Sequence, residues 1–205
     1  MAIDFPTRLA ALTLIAALAC TASPAPSHAA DPKLIPAQST PAPSNHARTL
    51  DRLFADLKTA ADENSAQPIA AEIWRLWLES GDADIDARMR LAMGYMNAGR
   101  ADAALATLDE IIARAPHWAE AWNKRATLLY MMDEHARSLA DCFKVLELEP
   151  RHFGALSGMG MIGIAQGNFE AALKSYRKAA EIHPFIEGRK EIIPFLEKKV
   201  GVSKI

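Results

Sequence analysis

The chain has 205 residues with 23 basic and 25 acidic side chains, a formal net charge of -2, and half of its residues hydrophobic. That balance excludes a charge-driven nucleic-acid groove or anionic membrane surface as the main partner. With 10 glycines among many helix formers, the composition points to an all-α chain large enough to bury a core without disulfides or metals.

Residues 1–30 read as an export signal. Arg8 precedes the uncharged run Leu9–Ala19, and the small-residue sequence Ser27-His28-Ala29-Ala30 follows, so cleavage is expected after Ala29 or Ala30. The run is too short for a membrane crossing, which needs about 20 residues. Ala17-Leu18-Ala19-Cys20 leaves a second reading open, a lipid anchor on Cys20. If Cys20 leaves with the leader, Cys142 is the only cysteine and no intramolecular disulfide can form. Residues 31–47, with Pro32, Pro36, Pro41 and Pro43, read as a flexible tether.

Beyond residue 47 the prolines expose a repeat. Pro116, Pro150 and Pro184 stand 34 residues apart, the length of one helix pair. Units 85–118, 119–152 and 153–186 then align column by column. In the second helix of the first unit Ala101, Ala104, Leu105, Leu108, Ile111 and Ile112 recur at helical spacing. Phe169, Ala172, Leu173, Tyr176, Ala179 and Ala180 take the same offsets in the third. Ala92, Ala126 and Gly160 share a small column in the first helix, and Ala104, Ser138 and Ala172 one in the second, so neighbouring helices must approach closely. Gly99 and Gly167 sit where a left-handed residue ends the first helix, with Asp133 taking that place in the middle unit. Each proline stops a second helix.

This pattern resembles the tetratricopeptide repeat family. In the third unit Leu156, Met159, Gly160, Ala172, Tyr176, Ala179 and Pro184 carry the likeness, and in the second Trp122, Ala126 and Pro150 do. The departures are Arg125, where a large apolar residue is usual, and Cys142, where an aromatic is usual. Residues 48–84 look like a degenerate N-terminal hairpin, with Phe54, Leu57, Ala70, Trp74 and Trp77 in register but Lys58 and Asp82 off pattern. Residues 187–205 suit a C-terminal capping helix and tail, which Pro194 kinks or starts. The resemblance implies a right-handed superhelical solenoid of antiparallel helix hairpins.

No catalytic constellation emerges. Among His28, His46, His117, His135, His152 and His183 no pair has metal-site spacing, and His117, His152 and His183 fall at unit boundaries, where surface turns are expected. Cys142 lies in a buried column and reads as a core thiol. No nucleophile elbow, phosphate loop or dinucleotide motif is present, so neither an enzyme nor a cofactor is expected.

The resemblance implies a peptide-binding groove formed by the first helix of each unit. By that register its residues are Asp86, Met89, Arg90, Met93, Met96 and Asn97, then Glu120, Asn123, Lys124, Thr127, Tyr130 and Met131, then Ser157, Met161, Ile164 and Ala165. Seven of the eight methionines lie between residues 89 and 161, and flexible thioethers suit an adaptable binding surface. The alternative is a groove filled by the tail helix or the tether, with the methionines in the core. The chaperone-carboxylate clamp of some family members is not expected, because Met89 and Met93 stand where clamp residues would. The expectation is a non-enzymatic scaffold in the periplasm binding a peptide or protein. A lipid-anchored outer-membrane assembly factor, or a carrier binding metal through Met and His, are the alternatives.

Overall fold

A computed structural model describes residues 44–201, so the expected leader and most of the tether lie outside the described residues. Within them every regular element is a helix: α1 (Asn45–Thr59), α2 (Glu63–Trp77), α3 (Ala83–Asn97), α4 (Ala101–Arg114), α5 (Ala119–Met131), α6 (His135–Leu148), α7 (Phe153–Ala165), α8 (Phe169–Ile182) and α9 (Arg189–Lys199).

The three 34-residue units form the helix pairs α3–α4, α5–α6 and α7–α8, and α4 packs on α5 as α6 packs on α7. Gly99, Asp133 and Gly167 turn each pair with φ of 68°, 59° and 71°, the left-handed conformation the sequence led us to expect. Pro116, Pro150 and Pro184 each follow the last helical residue by two positions. The small columns are buried: Ala92, Ala104, Ala126, Ser138, Gly160 and Ala172. A Cβ on Gly160 would run into the ring of buried Tyr176, which explains that glycine. Arg125 replaces an apolar residue without leaving a charge alone, since it bonds Asp141 at 2.7 and 2.8 Å and Asp109 at 2.7 Å and stacks on half-buried Trp122. The helix α9 covers α8, with Leu196 fully buried beside Leu173 and Tyr176. It starts at Arg189, so Pro194 lies inside it and does not open it.

The N-terminal hairpin departs from simple stacking. Asp62 caps α2 in a reciprocal pair with Ser65, and Leu50, Leu53, Phe54, Leu57, Ile73, Leu76 and Trp77 form its buried face. That face packs with Phe153, Leu156, Ala179 and Ile186 of the third unit. The buried residues of α3 belong to a separate cluster with α4 and α5. The hairpin touches one repeat column three times. Trp118 donates from Nε1 to the Trp77 carbonyl at 2.8 Å, the His152 ring stacks on Trp77 at 4.0 Å, and Ile186 joins its apolar cluster, each 34 residues after the last. Thus α2 runs from α9, where Glu63 pairs with Lys190 at 3.2 Å, back to Trp118, against the order of the units.

Candidate functional site

The inner side of the units is formed by the first helices α3, α5 and α7, and α2 lies across part of it. Trp74 sits directly on Gly154 at the start of α7, where a Cβ would meet its ring, and Lys124 of α5 lies over the same indole at 5.5 Å. Beneath, His152 is fully buried between Trp77, stacked within 9° of parallel, and the edge of Trp74. Its Nδ1 accepts from the Ala155 N–H at 3.1 Å and so caps α7, which leaves the proton on Nε2 to donate to Glu120 at 3.0 Å. Asn123 donates to the same carboxylate at 3.0 Å, and the Lys124 ammonium stands 2.8 Å from its other oxygen. Burial opposes the charge on Glu120, but the His152 hydrogen bond and Lys124 outweigh it and hold the carboxyl below its usual value of 4.5.

These contacts revise the expected groove. Glu120 and Asn123 are buried under the hairpin, and Lys124 is paired and stacked, so none of the three can fix an incoming peptide. Met89 is a core residue beside Ile85, Ala92 and Leu108. His152 and His183, expected in surface turns, are buried, and burial lowers the His183 pKa below 6.5; His117 is exposed. Cys142 is a buried thiol pushed up to about 12, by burial first and by the charge of Asp141 second, which makes it unreactive.

Two regions of the inner side remain accessible. A cleft of about 1370 Å³ opens between α2, α7 and the segment leading into α9. Trp74, Phe153, Tyr176, Met161 and Ile192 give it apolar walls, and Gln67, Ser157 and Lys190 add polar groups. Further along the first helices, Arg90, Asn97, Thr127, Met131 and Ala165 are exposed, while Asp86, Met93, Met96, Tyr130 and Ile164 are half-buried. Among the described residues, Met131 and Met161, at 65% and 39% exposure, are the methionines that reach solvent most. Sequence reasoning missed the cleft because α2 builds one wall of it. Gly154, where the earlier units have Asp86 and Glu120, was the available signal. Among the described residues no group of three or more His, Cys, Asp or Glu side chains could hold a metal ion.

Two family models described as tetratricopeptide repeat match residues 86–117 and 154–185. A TPR repeat-containing protein of Rhizobium etli is 40% identical over 200 residues, covering 96% of this chain and 98% of that one. The chain belongs to the tetratricopeptide repeat family. Human Superkiller complex protein 3 is 29% identical over 110 residues, which cover 52% of this chain and 6% of that protein. Among solved structures, the first tetratricopeptide repeat domain of Spaghetti, bound to an HSP90 peptide, superposes with a TM-score of 0.56 at 18% identity over 58% of this chain and 96% of that one. A crystal structure of MamA gives 0.54 at 18% identity over 76% and 84%. These two likenesses concern the fold. Within it, the repeat units here surround an inner face that their own N-terminal hairpin partly occupies.

Proposed function

We propose that this tetratricopeptide repeat protein is a non-catalytic scaffold that holds a segment of a partner protein in the cleft between α2 and α7. The carrying observation is the cleft itself: at about 1370 Å³ it exceeds the roughly 300–1,000 Å³ typical of small-molecule sites, and its aromatic and thioether walls suit peptide side chains. The neighbouring structure solved with an HSP90 peptide supports the mode and not the partner. With Lys124 committed to Glu120, recognition rests on shape and apolar contact, and Ser157, Gln67 and Lys190 set polar register. In the same reading the leader at residues 1–30 carries the protein into the periplasm, free after cleavage near Ala30 or held through an acylated Cys20.

A photo-crosslinker at Met161 in the native host tests the site. The expected result is one crosslinked protein whose affinity for the purified chain drops at least about tenfold in Met161→Glu. Phe143→Glu, on the exposed outer surface of α6, should leave that affinity unchanged. Equal loss in both variants, or crosslinks that do not depend on position, would remove the cleft from the binding site. The N-terminal residue of the recovered protein tests export: a start at Ala30 or Asp31 marks cleavage, and an acylated Cys20 marks the anchor.

A further inference from the structure

The cleft between α2 and α7 has apolar walls, and its rim is charged unevenly. Asp62, Glu63 and Glu187 stand along it with one ammonium, Lys190. Lys190 lies 3.2 Å from Glu63, which leaves the other two carboxylates in excess. Glu187 is exposed and pairs with no cation among the described residues. The nearby cations do not offset it: Arg189 donates to the Pro184 carbonyl, and Lys124, over the Trp74 indole, is held by Glu120.

The helix ends do not reverse that sign. The N-terminus of α2 stands at the cleft and would invite an anion, but the Asp62 carboxylate already fills it, accepting from the Ser65 N–H at 2.8 Å. Glu187 and Glu191 flank the start of α9. Pro68, inside α2, has no N–H to give the carbonyl of Asn64, another cleft residue. His183 supplies an independent observation. It lines the cleft at 8% exposure, its ring is T-shaped to Phe153 at 5.1 Å, and its Nδ1 has no hydrogen-bond partner among the described residues. A buried polar nitrogen is costly until something bonds it. Burial lowers the pKa of this ring below 6.5, so at pH 7 it is neutral, adds no positive charge and keeps one nitrogen as an acceptor.

Around an apolar interior the cleft therefore presents acceptors: carboxylates at the rim, a carbonyl on α2 and an imidazole nitrogen. Resting on the reading of this cleft as the binding site, we infer that the partner segment it holds carries an arginine or lysine beside apolar residues. The apolar side chains enter between Trp74, Phe153 and Met161, and the cation lies at the rim toward Glu63 and Glu187. An acidic segment would meet an excess of negative charge and a single ammonium that is already paired. Because the rim carboxylates are exposed, salt screens their pull. They choose among segments, while apolar contact supplies most of the affinity.

An array of short peptides with Arg, Lys, Gln or Glu at the centre and Leu, Phe, Met or Ser around it, probed with the purified protein, tests this. The strongest spots should have Arg or Lys at the centre. In calorimetry the best of them should bind at least about tenfold more tightly than its Glu-centred counterpart at low salt, and the gap should narrow as salt is raised. Glu187→Lys should remove most of that preference while the melting temperature stays at the wild-type level. Ser157→Trp, which fills the cleft, should abolish binding of every peptide, and Met161→Trp checks the same point at a more exposed position. Binding that is lost in these two variants but is indifferent to the central residue, or favours Glu, would overturn the inference and leave the cleft as the binding site. Binding that survives both variants would overturn the cleft as well. An array that retains nothing overturns the inference, and the Met161 crosslink then judges the cleft on its own.

Discussion

The helices α3 and α5 occupy the same place in successive units, yet their surroundings differ on two sides. On α5, Ala121 and Leu128 are covered by α4, and Glu120, Asn123 and Lys124 are closed over by α2. On α3, Ala87, Leu91 and Gly94 are open, and so is Arg90, which stands 34 residues before Lys124. The repeat fixes which residues share a column; a neighbour outside the repeat decides which of them a partner can reach.

The contrast can be broken hardest at the hairpin. Trp77→Ala removes a buried indole stacked on His152 and should cost about 3–5 kcal/mol in urea unfolding, because a cavity opens between α2 and the unit boundary. Gly154→Ala sets a methyl against the Trp74 ring and should cost about 1–3 kcal/mol, with Trp74 moving outward and its fluorescence shifting to the red.

Acid sharpens the comparison through Glu120. Its folded pKa is lowered, so its contribution is complete above the usual carboxylate value of 4.5 and is lost as the pH falls through the lowered one. Glu120→Gln should therefore lower the melting temperature at pH 7 and flatten its decline below pH 4.5. His183 titrates separately. Burial depresses its pKa, so its contribution is present above 6.5 and begins to fall as the unfolded imidazole takes up a proton below that value. Glu120→Gln should leave that upper part of the curve unchanged. The smallest effect belongs to the open helix: Leu91→Ala should change stability by no more than about 0.5 kcal/mol in the same unfolding assay.

The repeat was legible because its signals are local. Prolines at a period of 34, the left-handed positions Gly99, Asp133 and Gly167, and the small columns state where helices end and how closely they pack. The apolar set Phe54, Leu57, Ala70, Trp74 and Trp77, in register with the repeat, equally announced a buried face. Such a set says that a face is buried and does not say against what, and the unit boundary that receives it lies about a hundred residues downstream at Arg151 and His152. The same gap hid the fates of Glu120 and His152. Each reads as a surface residue in its own helix or turn, and only their meeting under two tryptophans makes burial tolerable. Met89 was misplaced for a smaller reason: in its column only Ser157 of the third unit lines the cleft, Asn123 being buried under α2, and Met89 itself turns into the core between α3 and α4.

The central claim, that the N-terminal hairpin lies across the inner side with α2 reaching α9, is tested most directly at its far end. A carbodiimide joins a carboxylate to an amine in direct contact, and Glu63 stands 3.2 Å from Lys190, although 127 residues separate them. Digestion and mass spectrometry after such treatment should recover the peptide of Glu63 joined to that of Lys190 within one chain. If Lys190 is joined only to carboxylates of its own segment, such as Glu187 or Glu191, the hairpin does not reach α9 and the account of the inner side fails.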